Sequence, residues 1–248
     1  MSIEHVLPVS LLRGIRRTPG KHRADRREMT ELILIRHGQA SFGSSHYDRL
    51  SDRGRQQAQA LKNHWQRIGW RFDRTISGTL ERQLDTAKLA SHAPALIVQD
   101  NAFDEYCAQT LLHHHGGPPP FETPSPRDAR HFHLQLEGAL RGWIKASSHT
   151  SSPEPWPHFN GRVNDQLHQL ARTADVDERL AVFTSAGVIA CAVASVLNLG
   201  TEGFLALNRR LWNASVTHLA YGRSGFSLLG FNDVGALRLA SPELVTYR

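Results

Sequence analysis

The chain has 248 residues, of which 40% are hydrophobic and 21% charged, a composition typical of a soluble globular protein with one large domain or two small ones. Its net charge of +6 does not favour a nucleic-acid partner, because residues 1–28 carry +4 of it (seven basic less three acidic side chains) and the other 220 residues only +2. The two distant cysteines exclude a disulfide framework, and no apolar run approaches the roughly 20 residues of a membrane span, so we expect a cytoplasmic protein without membrane contact.

Residues 1–28 are rich in arginine and show no sustained helix or strand period, which predicts a disordered or poorly packed leader. The first predicted strand begins two residues after Met29. Met29 is therefore a candidate physiological start, and N-terminal sequencing of the native protein tests that hypothesis. We expect the folded domain to span residues 29–248.

The first predicted unit is a strand followed by a helix. The apolar run at residues 31–35 predicts a buried parallel strand, and Arg36-His37-Gly38 follows at its carboxyl end. Ser51 or Asp52 can cap the helix that comes next. Four residues of that helix recur at helical spacing and are expected on its buried face: Ala58, Leu61, Trp65 and Ile68.

The second unit repeats this order. A strand is predicted at residues 72–76, Ser77-Gly78-Thr79 follows it, and the next helix has Arg82 in its first turns. A third strand is expected at residues 95–98. The second helix is expected to bury three residues: Leu80, Leu84 and Ala87.

Residues 105–160 interrupt the alternation and predict an inserted cap or loop region over an edge of the sheet, where substrate loops are often found. His113-His114-His115 lies in this region and would suggest a metal, but three adjacent imidazoles cannot easily reach one tetrahedral ion, so we expect an exposed loop and no metal. One helix is predicted inside the region, with these residues on one face: Phe132, Leu136, Leu140 and Trp143.

The last third of the chain returns to the alternating pattern. After a helix marked by Val163, Leu167 and Leu170, the strand at residues 180–184 turns at Ser185-Ala186-Gly187 into a helix at residues 188–199. Residues 215–221 and 225–231 predict an antiparallel pair of strands. Strands that alternate with helices predict an α/β fold, with a doubly wound, mostly parallel open sheet flanked by helices.

Three predicted strands end in residues that suit phosphate chemistry. Ligands of such sheets bind at the carboxyl ends of the strands, which here carry Arg36-His37-Gly38, residues 77–79 leading to Arg82, and residues 185–187. Arginine binds phosphate through two parallel hydrogen bonds, and helix N-termini add backbone donors. A histidine placed among arginines is a candidate nucleophile toward phosphorus.

Three motifs in register identify a family. Residues 36–40 (Arg-His-Gly-Gln-Ala), 50–58 (Leu-Ser-Asp-Arg-Gly-Arg-Gln-Gln-Ala) and 77–87 closely resemble the histidine phosphatase superfamily, the group that includes cofactor-dependent phosphoglycerate mutases and fructose-bisphosphatases. The resemblance runs from about residue 31 to the C-terminus and is weak through residues 105–160. It implies a phosphoglycerate mutase-like fold.

The resemblance implies a two-step reaction without a metal or a cofactor. His37 would attack the phosphoester and become a phosphohistidine, while Arg36 and Arg82 bind the phosphoryl oxygens. A carboxylic acid would protonate the leaving oxygen and then activate water. The family pattern points to Glu105, with Asp104 as the alternative, because neighbours on an extended segment face opposite sides.

The sequence departs from the family at the fourth motif, where Ala186 takes the place of a second histidine. Alanine can neither donate a side-chain hydrogen bond nor carry charge. Losing such a donor typically costs about 100- to 1000-fold in rate. Three polar residues further along the chain are candidate substitutes for the missing histidine: His218, Asn213 and Ser215.

A second departure concerns the mutases, whose first motif continues to an asparagine that contacts substrate. Residues 41–43 (Ser-Phe-Gly) stand at that place here, which favours a phosphatase over a mutase. Besides the two arginines, three residues at the strand ends are expected to contact phosphate: Gly38, Ser41 and Gly187.

These observations support one leading function and two alternatives. The leading one is a metal-independent phosphatase that hydrolyses a small phosphomonoester through His37. The alternatives are a weak or inactive relative that binds a phosphorylated ligand or protein, which Ala186 motivates, and a phosphoglycerate mutase. We expect no cofactor, because the chain has neither a Walker loop nor a Gly-x-Gly-x-x-Gly after a strand. The sequence carries no signal for an oligomeric state.

Overall fold

The computed structural model of the protein describes residues 29–41, 48–116, 126–146, 154–175 and 177–247, with the backbone alone at residue 95 and residues 126–133. The leader predicted at residues 1–28 lies outside the described residues, as do residues 42 and 43 of the departure from the mutase pattern. In the described parts of the chain, no helix has both the length and the apolar character needed to cross a membrane.

Six strands form one mixed sheet in the order β3-β2-β4-β1-β5-β6. The first four strands of the chain are parallel to one another, and the last two add an antiparallel pair next to β1. The prediction of a mostly parallel open sheet that ends in an antiparallel pair is therefore confirmed. The strands are β1 (Thr30–Arg36), β2 (Arg74–Ser77), β3 (Ile97–Gln99), β4 (Arg179–Thr184), β5 (Val216–Gly222) and β6 (Gly225–Asp233).

The described residues form eight α-helices that flank the sheet. Three of them, α3, α7 and α8, were not predicted from the sequence, and they are short, with 8, 10 and 6 residues. The helices are α1 (Asp52–Arg67), α2 (Glu81–Ala90), α3 (Ala108–His115), α4 (Pro126–Lys145), α5 (Trp156–Arg172), α6 (Ala186–Val196), α7 (Thr201–Arg210) and α8 (Gly235–Ala240).

Strand β1 runs through the middle of the sheet and is buried on both faces. Leu32 and Leu34 join the core cluster that contains α5, α6 and α7, whereas Ile33 and Ile35 join the cluster with α1 on the other face. All four side chains have no exposed surface. Because side chains alternate along a strand, this apolar run fixes β1 at the centre and places Arg36 and His37 at its carboxyl end.

Helices α3 and α4 build most of the described part of residues 105–160 and pack against each other. The predicted apolar face of α4 is buried at Leu136, Leu140 and Trp143. His113-His114-His115 forms the last turn of α3 instead of the predicted loop, because Leu111 and Leu112 of the same helix are buried in the core and anchor it.

The helices differ from the predictions at several positions. Ser51 caps α1 by accepting a hydrogen bond from the Gly54 N–H, but Ile68 follows the helix and is 46% exposed. Leu80 and Leu84 are only partly buried, because α2 turns Gln83 and Thr86 inward to bond with neighbouring loops. Residues 94–96 form a 3₁₀ turn, so β3 begins at residue 97, and α6 ends at residue 196.

Candidate active site

His37 follows β1 directly and is held by the backbones of two other strands. Its N–H donates to the Thr184 carbonyl at 2.9 Å, and its carbonyl accepts from the Ala214 N–H at 3.1 Å. The residue is 7% exposed. The ring of His37 is therefore fixed at the carboxyl edge of the sheet, where the ends of β1 and β4 meet.

The hydrogen bonds of the His37 ring define its tautomer. Nδ1 lies 2.7 Å from the Gly38 carbonyl, which only accepts, so Nδ1 carries the proton. Nε2 accepts from the Nε of Arg82 at 3.1 Å and therefore presents a lone pair. Burial, followed by the charges of Arg82 and Arg36, holds the pKa of His37 well below its usual range. The imidazole is neutral at physiological pH, with a nucleophilic nitrogen toward the arginines.

Gly38 has a structural role, and its predicted contact with phosphate stays a prediction. Its N–H donates to the Thr86 hydroxyl at 3.0 Å and so is already engaged. A Cβ at Gly38 would lie 2.5 Å from the Gly54 carbonyl oxygen, and one at Gly54 would lie 2.2 Å from the Gln39 carbonyl oxygen. The glycines let the His37 loop and the start of α1 touch through their backbones.

Arg36 and Arg82 approach the ring of His37 from different elements. Arg36 is the last residue of β1. Its guanidinium donates hydrogen bonds to the carbonyl of Leu211 and, at 3.4 Å, to the carbonyl of Tyr247. Arg82 comes from the first turn of α2 and also donates to the carboxylate of Asp48. Both charges act on His37. Two guanidinium groups beside a buried histidine make a site for a dianionic phosphoryl group.

Asp48 is a site residue that the sequence did not reveal. One carboxylate oxygen accepts from Arg82, and the other accepts from the Glu81 N–H at the start of α2, at 2.8 Å. Asp48 thus caps α2 and orients its arginine. The two partners lie more than 30 positions away, at a distance that no helical or strand period connects.

Replacing Asp48 with asparagine is expected to tighten the inhibition by inorganic phosphate about threefold to tenfold. The change removes a negative charge next to Arg82, so that a phosphate dianion no longer competes with a carboxylate for the guanidinium, and the 39% exposure of Asp48 keeps the effect modest. Product-inhibition kinetics measure it. Weaker inhibition would contradict the expectation and would mean that orienting Arg82 outweighs the repulsion.

Glu105 faces the same site from the segment after β3. Its Oε2 accepts from the Gly187 N–H at the start of α6, at 3.0 Å. Burial raises the pKa of Glu105, against the opposing effects of the Gly187 N–H and of Arg82 and Arg36. A carboxyl group with a raised pKa can hold a proton near neutral pH and donate it. The Gly187 N–H is engaged by Glu105, and its predicted contact with phosphate stays a prediction.

Asp104, the alternative acid, points the other way. One carboxylate oxygen accepts from the Thr79 N–H and the other from the Thr79 hydroxyl, both at 2.6 Å. The two neighbouring carboxyl groups therefore face different partners, as expected for an extended segment. Asp104 fixes the loop between β2 and α2, and the geometry favours Glu105 as the proton donor.

Replacing Gly187 with alanine is expected to destabilise the fold by about 1–3 kcal/mol and to displace Glu105. The added Cβ would lie 2.3 Å from the Glu105 Oε1 and 2.4 Å from the Tyr106 ring. Thermal unfolding and phosphatase kinetics measure both effects. Gly161→Ala in α5 is the matched control: no heavy atom lies within 4 Å of its added Cβ, and alanine should stabilise the helix by about 0.5–1 kcal/mol. Equal melting temperatures for the two variants would contradict the expectation.

The candidate substitutes for the missing histidine lie at different places. Ala186 is the first residue of α6, at the end of β4. His218 pairs with Ile33, about three residues or 10 Å back along the sheet from Arg36, and its Nε2 lies 3.5 Å from a Glu31 carboxylate oxygen. His218 is thus too far from the edge of the sheet to replace the histidine, and this expectation is corrected.

Asn213 and Ser215 lie close to the site, and their side chains differ in whether they have a hydrogen-bond partner. The Asn213 side-chain amide donates to the Thr246 hydroxyl at 2.8 Å. This hydrogen bond attaches the segment after α8 to the segment before β5. The Ser215 carbonyl accepts a hydrogen bond from the Arg36 N–H at 3.0 Å, so Ser215 lies opposite Arg36. Its hydroxyl is buried and has no hydrogen-bond partner among the described residues.

Ser41 is the last described residue of the segment that follows His37. Its N–H donates to the Arg49 carbonyl at 2.7 Å, which closes the segment between His37 and α1 into a short antiparallel bridge at Ala40 and Leu50. The predicted contact of Ser41 with phosphate stays a prediction.

The sheet order and the side chains at its carboxyl edge define a phosphoglycerate mutase-like α/β protein. The chain belongs to the histidine phosphatase superfamily (branch 1), whose family model matches residues 32–234. That match confirms the family identified from the three motifs.

Solved structures of several relatives share the fold. A mutant phosphoserine phosphatase from Entamoeba histolytica, in complex with phosphoserine, matches with a TM-score of 0.63 and 17% identity over 84% of this chain and 99% of that one. A mycobacterial glucosyl-3-phosphoglycerate phosphatase matches with a TM-score of 0.58 and 23% identity, over 82% of this chain and 98% of that one. A phosphoglycerate mutase from Bacillus anthracis matches with a TM-score of 0.60 and 16% identity, over 86% of this chain and 96% of that one. No curated protein matches the sequence.

Proposed function

We propose that the protein is a metal-independent phosphatase that hydrolyses a small phosphomonoester through a phosphohistidine on His37. The observation that carries the proposal is the neutral imidazole of His37, whose Nε2 lone pair faces Arg82 while Nδ1 is bound to the Gly38 carbonyl. A nucleophile toward phosphorus needs that lone pair, and the adjacent guanidinium places the phosphoryl group next to it.

In the first step, Nε2 of His37 attacks phosphorus and the bond between phosphorus and the leaving oxygen breaks. Glu105 gives its proton to that oxygen, so the leaving group departs as an alcohol. Arg36 and Arg82 hold the charge on the transferred phosphoryl oxygens. The Gly38 carbonyl accepts from Nδ1–H and stabilises the positive charge that the phosphorylated ring gains.

In the second step, water attacks phosphorus and the bond to Nε2 breaks. The carboxylate of Glu105 takes a proton from this water, so inorganic phosphate is released and both side chains return to their first state. The low pKa of His37 makes it a good leaving group toward water, and the raised pKa of Glu105 suits both an acid and a base.

The family and the solved structures support a phosphatase with a small phosphorylated substrate. The neighbours include a phosphoserine phosphatase and a glucosyl-3-phosphoglycerate phosphatase. Of the candidate substitutes for the family's second histidine, Ser215 has the best position, because its unpartnered hydroxyl lies across from Arg36 on the same face of the sheet. We infer that this hydroxyl is the donor that partly compensates for Ala186.

The alternative to catalysis is binding of a phosphorylated ligand or protein without turnover, and Ala186 is the observation that favours it. The site retains a proton donor at Glu105, which mere binding does not require, so we place hydrolysis first. A mutase would instead return an isomerised phosphoester, without free phosphate, from a bisphosphorylated primer.

Phosphate release from an aryl phosphate, measured for the wild type and for Ala186→His and His37→Ala, tests the proposal. We expect turnover by the wild type, loss in His37→Ala, and a rise of about 100-fold or less in Ala186→His, because the new imidazole adds a donor at the N-terminus of α6. Turnover confined to Ala186→His would favour the binding function. If none of the three proteins releases phosphate, the proposed phosphatase function is contradicted.

A further inference from the structure

A cavity of about 510 Å³ opens on the Glu105 side of the site. Its wall combines Glu105 with residues of α3, α4 and α5, including Thr110, Trp143 and Arg162, and His37 is not among its lining residues. In the proposed reaction, Glu105 protonates the leaving oxygen, so the group attached to that oxygen extends into this cavity. Its volume suits a small organic molecule.

Arg162 contributes the guanidinium group of the cavity wall, and all its donors are already engaged. Two of them form a bidentate pair with the Glu154 carboxylate, at 2.6 and 2.9 Å. The others donate to the backbone carbonyls of Asn101, Ala102 and Asp104, at 3.3, 2.8 and 3.0 Å. Because a guanidinium has five N–H donors, Arg162 keeps none for a ligand.

The remaining charges of the wall are negative. Two carboxylates, those of Asp104 and Glu154, line the cavity beside this one guanidinium, and the Glu105 carboxyl holds the proton that it donates in the proposed reaction. His158 turns its Nδ1 toward Glu154 at 3.0 Å. An anionic group in the cavity would meet like charges and no uncommitted guanidinium among the described lining residues.

The neutral part of the wall suits a different kind of ligand. Asn101 and Thr110 offer an amide and a hydroxyl, and the carboxylates accept from hydroxyl or ammonium groups. Trp143 borders the cavity, but it is a core residue with 1% exposure, and its indole N–H is bound to the Glu154 carbonyl at 2.8 Å.

We propose that this cavity selects phosphomonoesters of alcohols that carry hydroxyl or ammonium groups and no second anionic group. The proposal rests on the proposed function, which places the leaving group beside Glu105. It assigns the specificity of the enzyme to the charge of the leaving group, with carboxylates and second phosphates excluded.

Two pairs of ligands that differ by one carboxylate test the selectivity. Glycerol 3-phosphate is compared with 3-phosphoglycerate, and phosphoethanolamine with phosphoserine. Calorimetry on His37→Ala, which cannot turn the ligands over, is expected to show at least about tenfold tighter binding of the ligand without the carboxylate in each pair. Equal affinities, a preference for the carboxylate, or no binding of either member would overturn the proposal. Turnover of an aryl phosphate by the wild type is recorded separately and reports on the proposed function alone.

Thr110→Lys provides a second, opposite test. A lysine at this position of α3 adds an uncommitted cation to the cavity and should raise the affinity for 3-phosphoglycerate relative to glycerol 3-phosphate about tenfold. Thr110→Met is the matched control, since it has similar length and no charge. An unchanged ratio in folded Thr110→Lys, as judged by its melting temperature, would contradict the placement of the leaving group in this cavity.

Discussion

Replacing His37 with alanine is expected to reduce phosphate release from an aryl phosphate by at least about 1000-fold, because the change removes the nucleophile and leaves only the binding groups. The melting temperature should change little by comparison, since the backbone bonds of His37 to Thr184 and Ala214 do not involve the side chain. Steady-state kinetics and thermal unfolding measure the two effects.

His218→Ala is the matched control for His37→Ala. It also removes a partly buried imidazole from the sheet, but one that lies beside Glu31 and away from the site. We expect near wild-type turnover. Quenching the wild type with denaturant at alkaline pH, with labelled substrate present, should trap a phosphoenzyme that is stable in alkali and loses its label in acid, as phosphohistidine does. A label that persists in His37→Ala would place the covalent intermediate on another residue.

Replacing Glu105 with glutamine is expected to reduce turnover of an alkyl phosphate about 100- to 10,000-fold, and turnover of an activated aryl phosphate far less. The amide oxygen can still accept from the Gly187 N–H, so the shape of the site is kept while the transferable proton is lost. An aryl leaving group departs without protonation, whereas an alkoxide does not. The ratio of the two rates therefore isolates proton donation from phosphate binding.

The pH dependence of the same variant supplies an independent check. Burial raises the pKa of Glu105, so wild-type kcat/KM for the alkyl phosphate should fall as the pH rises through that pKa and the proton is lost. Glu105→Gln should lack this alkaline limb. The pKa of His37 is lowered, so the acid limb lies below the usual histidine range in both proteins.

Asp104→Asn is the control for the identity of the acid. It weakens the bonds to Thr79 and should slow both substrates by the same factor, because Asp104 fixes a loop and donates no proton. If Asp104→Asn selectively slowed turnover of the alkyl phosphate and Glu105→Gln did not, Asp104 would be the proton donor and Glu105 would have the structural role.

The sequence predicted the sheet well, and it predicted which residues meet at the carboxyl edge of the sheet, because both depend on local patterns. Continuous apolar runs identify buried parallel strands, and chemistry at their carboxyl ends follows from the topology. His37, Arg36 and Arg82 come together for that reason. The neutrality of the His37 ring was not predictable, since it depends on burial and on bonds to Gly38 and Arg82.

The features of the site that the sequence did not reveal share a physical cause, which is tertiary contact between distant segments. Gly38 and Gly187 were expected to bind phosphate, but their N–H groups serve Thr86 and Glu105, which belong to other elements. His218 occupies a strand that enters the site, yet the register of β5 carries it away from the edge. Asp48 was not predicted as a site residue, because its hydrogen-bond partners lie on the distant helix α2.

The backbone bonds of His37 link the chemistry of the protein to its folding. The partners of its N–H and carbonyl lie about 150 and 180 positions further along the chain, so they join only when the central strands have assembled. We therefore expect its hydrogen to exchange with solvent slowly, mainly when the central strands separate. We also expect His37 to be among the last residues to be positioned during folding and among the last to lose its place during unfolding.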